Sequence, residues 1–123
     1  MFYKSTRNSD LRVESSTAIS QGISVDGGLF VPETIPSISM DELKSLADKS
    51  YSERAAYVFA KYLTDFTDAE IHYCTDNAYS VKNFDTENIA EIAELFDGTY
   101  MLELWHGPTC AFKDMALQIL PYF

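Results

Sequence analysis

The stretch that most restricts the fold lies near the end of the 123 residues. Residues 99–105, TYMLELW, are apolar or aromatic apart from one Glu and the opening Thr, the pattern of a strand buried on both faces. HGPT follows as a tight Gly-Pro loop. Then comes CAFKDMALQIL, in which Phe112, Met115, Ala116, Ile119 and Leu120 share one helical face. Strand, tight loop and helix make the opening half of an α/β unit. The residues after Leu120 are too few to complete a parallel sheet. The expected class is therefore α/β for the fold being opened and α+β within these residues.

Upstream, the punctuation is of a different kind. FYKSTR predicts a short strand at a sheet edge. SSTAISQG predicts a short helix with Ser15 or Ser16 as N-cap and Gly22 as its stop. VDGGLFVPE predicts a turn over Asp26-Gly27-Gly28 that feeds a strand at Leu29 to Val31, ended by Pro32 and Pro36. Three helices are expected next. Ser39-x-x-Glu42 is a capping box ahead of Met40, Leu43, Leu46 and Ala47. Ser52 opens a second helix, with Ala55, Ala56, Phe59, Tyr62 and Leu63 at core-facing spacing. Thr67-x-x-Glu70 is another capping box, leading Ile71, Cys74 and Ala78 along one stripe. ENIAEIAEL fits a helix or a short strand, and Asp97-Gly98 marks a turn.

Charge removes several functions. Nineteen acidic against nine basic residues leave a net charge of −10. That field repels phosphate backbones, so nucleic acid is not an expected partner. With 46% hydrophobic and 14% aromatic residues, a packed core is expected rather than disorder. No apolar run approaches the roughly 20 residues of a membrane span, and the start lacks the apolar core of a secretory signal. A cytoplasmic protein follows as the expectation. Cys74 and Cys110 form no CxxC and are expected as free, mostly buried thiols rather than a disulfide. His72 and His106 cannot build a zinc site alone, and no HExxH or EF-hand loop is present.

Lys113 stands apart from the other lysines by position. It follows the strand and Gly-Pro loop and opens the helix, at the place where α/β sheets bind ligands. The macrodipole at a helix N-terminus disfavours the protonated amine, and partial desolvation acts the same way. A lysine kept partly neutral is a nucleophile towards an aldehyde.

HGPTCAFKDMALQIL, residues 106–120, resembles the pyridoxal-phosphate lysine segment of threonine synthases, which usually reads HGPT-x-AFKD before an apolar helix with ALQ. YKSTR near the start is similar to the opening strand of that family. GISVDGGLFVPE, residues 22–33, resembles its GLAxDGGLxVPE signature. The three segments occur in the family's order and cover most of the chain.

The resemblance implies a fold-type-II enzyme that converts O-phospho-L-homoserine and water to L-threonine and phosphate. Lys113 would hold pyridoxal phosphate as a Schiff base, then move protons at Cα and Cβ while the cofactor acts as electron sink. The same resemblance implies a place for Phe112 near the cofactor, although its position on the apolar stripe favours core packing. Asp114 suits a helix start better than a catalytic role, and Thr109 is its expected N-cap. For His106, loop placement and substrate contact stand open. Asp26-Gly27-Gly28 is expected to shape a turn, and His72 to lie at or near the surface.

Residues 1–83 are expected to form the family's small N-terminal domain and 84–123 the start of its catalytic domain. The five glycines, Gly22, Gly27, Gly28, Gly98 and Gly107, make no Gly-rich phosphate loop. The rest of the catalytic domain would have to supply one. The 123 residues are thus expected to be an N-terminal portion that binds the cofactor poorly and does not turn over alone. Two other functions fit parts of the sequence. One is a related fold-type-II lyase such as a threonine or serine dehydratase, which shares the lysine helix but not the YKSTR and DGGLFVPE segments. The other is an acidic binding module without chemistry.

Overall fold

In the computed structural model, which describes residues 1–123, the chain opens with three short strands around one helix. β1 (Phe2–Ser5) pairs antiparallel with β2 (Arg12–Glu14) on one side and with β3 (Phe30–Pro32) on the other. The order is β2-β1-β3, so the first strand is central rather than at an edge. β3 takes the edge, where Pro32, with no N–H to give a further neighbour, is tolerated. Between β2 and β3 runs α1 (Ser15–Gln21), ended by Gly22 at φ 69° as the sequence predicts.

The start of α1 differs from expectation. Glu14 occupies the N-cap position and its side chain makes no capping bond. Asp65, far along the chain, serves instead: it accepts the Ser16 N–H at 2.9 Å and the Ser15 hydroxyl. Burial pushes the Asp65 carboxyl up, but these serine hydrogen bonds outweigh it and hold it at about 2. Neither Ser15 nor Ser16 caps its own helix because the acceptor is supplied across the fold.

Next come α2 (Met40–Ser45), α3 (Tyr51–Tyr62) and α4 (Asp68–Ala78). Both predicted capping boxes form. Ser39 Oγ accepts the Glu42 N–H at 3.3 Å while the Glu42 carboxylate accepts the Ser39 N–H at 2.7 Å. Thr67 and Glu70 repeat the exchange at 3.3 and 2.8 Å. A third box opens α3, from Ser50 and Glu53 at 3.2 and 2.9 Å, two residues before the expected Ser52. Ser52 lies inside the helix, buried, and donates to Asp76 on α4. Ser50→Ala is expected to cost about 1 kcal/mol, the usual worth of a serine cap, read as a lower denaturant midpoint. An unchanged midpoint would count against the box. On α2 the predicted core stripe is not buried: Met40 and Leu43 are exposed. The helix is held through its polar face, where Glu42 accepts from Tyr57 and from Lys61 at 3.0 Å.

The core lies where α3 meets α4. Ala56 and Leu63 bury against Ile71, and a second cluster gathers Cys74, Ala78, Tyr79, Phe84, Ile89 and Ile119. Phe123 joins the two, its ring edge-on to Phe59 at 5.1 Å and to Phe66 at 5.7 Å. The end of the chain is thereby fastened to the helical layer. The Tyr79 hydroxyl adds to this by donating to the Met115 carbonyl at 2.8 Å.

The ENIAEIAEL stretch, residues 87–95, enters a strand only at Glu91, after a turn, and forms no helix. β4 (Glu91–Phe96) and β5 (Thr99–Glu103) form an antiparallel hairpin turned at Asp97-Gly98, with Gly98 at φ 73°. β5 was expected to be buried, yet Tyr100, Met101 and Leu102 are exposed, because a two-stranded hairpin has no third layer over either face. The final helix also differs. α5 spans only Asp114–Leu117 and is followed by a 3₁₀ turn at Leu120–Tyr122 containing Pro121. Both cysteines are free thiols, but only Cys74 is buried as expected; Cys110 is exposed, a left-handed residue of the loop after β5. No helix is long and apolar enough to cross a membrane. The class is α+β.

Candidate active site

After β5 the chain turns through residues 106–113 into α5, and two carboxylate arrangements hold this loop. The first surrounds His106. Its Nδ1 lies 2.7 Å from Asp85 Oδ1 and its Nε2 lies 2.8 Å from Glu103 Oε2. The Asp85 N–H also donates to the His106 carbonyl at 3.0 Å. Hydrogen bonding to Glu103 and then to Asp85 raises the pKa of the imidazole against the opposing effect of burial. Trp105 stands beside it, ring centroids 5.8 Å apart.

The second arrangement is built on Asp114, which is fully buried. Its carboxylate turns back over the loop and accepts twice from Thr109: the backbone N–H at 2.8 Å and the hydroxyl at 2.8 Å. Burial pushes this carboxyl up, but the hydrogen bonds from Thr109 and from the Ala111 backbone outweigh it, leaving the pKa below the usual value. Thr109 is therefore not the N-cap of α5; that position belongs to Lys113, whose side chain makes no cap. Asp114 organises the loop more than it stabilises the helix start. Gly107 permits the arrangement: a Cβ there would lie 2.4 Å from the Asp114 Cβ and 2.6 Å from its Oδ2. Cys110 takes φ 56° as its N–H reaches the Gly107 carbonyl at 3.1 Å. That left-handed residue separates the loop from any helix, which is why the helix begins only at Asp114.

Lys113 comes out of this loop exposed, and its amine makes no ion pair. The desolvation and the long helix expected around it are not present. Phe112 is 67% exposed and does not pack into the core. It precedes the first helical residue, so it leaves the stripe that Met115 and Ile119 continue into the second core cluster. Asp26 shapes a turn: its carboxylate accepts from Ser5 at 2.7 Å and from the Gly28 N–H at 2.9 Å. His72 is exposed on α4. Asp85 and Glu103 were not singled out by pattern. The one Glu in TYMLELW was the available signal for Glu103; nothing local pointed to Asp85.

These residues fit one part of pyridoxal phosphate. An exposed primary amine without a partner suits the aldehyde carbon. The phosphate finds no cradle: Gly22 ends α1, Gly27 and Gly28 sit in the Asp26 turn, Gly98 turns the hairpin, and Gly107 lies under Asp114.

The family described as threonine synthase N terminus matches residues 2–79. Threonine synthase of Corynebacterium glutamicum is 37% identical over 98% of this chain, which covers 26% of that protein. Threonine synthase-like 1 of Homo sapiens is 38% identical over 87% of the chain and 15% of its own length. Among solved structures, PLP-bound threonine synthase from Brucella melitensis matches 99% of the chain at TM-score 0.91 and 32% identity, over 26% of that structure. Threonine synthase from yeast matches 98% at TM-score 0.88 and 32% identity, over 25%. The chain thus spans about a quarter of the length of the threonine synthases it matches.

Proposed function

Because the chain belongs to the threonine synthase N-terminal family, we propose that it carries the cofactor lysine of an enzyme making L-threonine and phosphate from O-phospho-L-homoserine and water. Residues 1–83 serve as the N-terminal domain and 84–123 as the start of the catalytic domain. The family match ending at residue 79, just ahead of the hairpin, supports that division. We place the enzyme in the cytoplasm, in keeping with two cysteines that stand free.

The observation that carries the proposal is the presentation of Lys113. A loop tied at Asp114 and at His106 holds the lysine backbone while leaving its amine accessible. Pyridoxal phosphate, held through Lys113, supplies an electron sink for charge developing at the substrate's α- and β-carbons. Lys113 would hold the group through its nucleophilic amine and would serve as a base to hold and move protons at Cα and Cβ. Phe112, exposed beside it, offers an apolar ring face to the cofactor. Phosphate recognition falls to residues outside these 123, so the chain by itself is expected to show no turnover.

A chimera tests this directly. Residues 1–123 replace the matching quarter of the Corynebacterium glutamicum enzyme, and phosphate release and threonine formation from O-phospho-L-homoserine are measured. Threonine formation by the chimera, with none from the 123 residues alone, is the expected result. A chimera that folds but leaves O-phospho-L-homoserine untouched would overturn the proposal.

A further inference from the structure

We propose that His106 is a positioning residue for the lysine loop: as an imidazolium bridging Asp85 and Glu103 it ties the loop to the segment after α4 and to the end of β5, and on losing its proton it lets one of them go. This inference rests on Lys113 being the cofactor lysine. The geometry is the argument. One ring has a carboxylate oxygen at hydrogen-bond distance from each nitrogen, 2.7 Å to Asp85 and 2.8 Å to Glu103. A neutral imidazole has a single N–H and would turn a lone pair on the second carboxylate. Only the doubly protonated ring donates to both, and each bond is then charge-assisted.

The two acceptors belong to different parts of the fold. Asp85 lies beyond the end of α4, where neighbouring Phe84 is buried in the second core cluster; Glu103 ends β5. Glu91 on β4 is the third charged group acting on the ring, and its own carboxyl is lowered in part by His106. The bridge thus connects hairpin, helical layer and lysine loop through one side chain. Its sign follows from linkage. The folded pKa is raised, so the stabilising contribution is complete below the ordinary histidine value of about 6.5 and is lost as pH rises through the raised folded value. The Asp85 N–H bond to the His106 carbonyl does not titrate, so the loop loosens on deprotonation without detaching.

The test uses the 123-residue chain without cofactor. Nitrogen-15 NMR should find protons on both His106 ring nitrogens below about pH 6.5, with the ring titrating above the ordinary histidine value. Over the same pH interval, amide protection at Thr109 and Cys110, corrected for intrinsic exchange, should fall about tenfold, as for loss of one charge-assisted hydrogen bond. Glu103→Gln should move ring titration and protection loss together to lower pH. Asp85→Asn should do the same, and its largely exposed side chain makes it the variant to read if Glu103→Gln does not fold. A ring that titrates at or below the ordinary histidine value, or protection that ignores the ring's titration, would overturn the inference. A purely structural contact would leave protection independent of pH. None of these measurements involves pyridoxal phosphate or turnover, so they stand or fall apart from the role of Lys113.

Discussion

Lys113→Ala in the Corynebacterium chimera is expected to lower kcat/KM for O-phospho-L-homoserine by at least about a thousandfold, within the range general acid–base groups contribute, and to leave stability almost unchanged. The second half is as informative as the first. Lys113 is exposed and its amine makes no ion pair; only its carbonyl is engaged, by the Ala116 and Leu117 N–H groups at 3.0 and 2.8 Å. Those bonds survive in alanine, a good helix former, so the change should stay within about 0.5 kcal/mol. Lys113→Arg should lose as much activity, because a guanidinium keeps the charge but is not a usable amine nucleophile. A Lys113→Ala chimera that retains a tenth of its activity would remove Lys113 from the chemistry. A large loss of stability would instead assign it to the fold.

Gly107→Ala has the larger structural effect. The added Cβ would stand 2.4 Å from the Asp114 Cβ, which is a backbone-anchored atom and not the free end of a flexible chain. Either the loop moves or Asp114 does, and Asp114 is fully buried with both Thr109 bonds made. Overpacking of this kind costs about 1–3 kcal/mol. The loop that places Lys113 should shift with it, so the chimera should lose activity beyond what its lower denaturant midpoint explains. Gly98→Ala is the control. Nothing lies within 4 Å of its Cβ, and its φ of 73° leaves only backbone strain, about 1–2 kcal/mol. It lies outside the lysine loop, and activity there should be spared. Equal activity losses in the two variants would contradict the role given to Gly107.

The legible parts of this protein are those whose physics closes within a few residues. Ser39-Glu42 and Thr67-Glu70 form boxes because both partners sit three residues apart on one turn. Ser50-Glu53 carries the identical pattern, and starting α3 at Ser52 overlooks it. Gly22 and Asp97-Gly98 are legible for a related reason, since a positive φ is a local demand. Asp65 capping α1 is not of this kind, and neither is β1 lying between β2 and β3. Each depends on a partner brought close only after the chain has folded.

The lysine segment shows the same division. Its residue types alone placed a nucleophilic amine after a strand and a Gly-Pro loop, because that order is written in neighbouring positions. The apolar period from Phe112 to Leu120 also predicted one long helix, and there the local signal lost. The Asp114 carboxylate pulls Thr109 back, Cys110 turns left-handed, and α5 shrinks to four residues with Phe112 exposed. Helical period is a weak preference against a buried carboxylate that must find donors. From its sequence alone this protein has its capped helices, its turns and the lysine at the strand end. The tertiary structure decided the strand order, the burial of Asp114 and the bond between His106 and Asp85, 21 residues apart, because burial and such contacts exist only once separate parts of the chain meet.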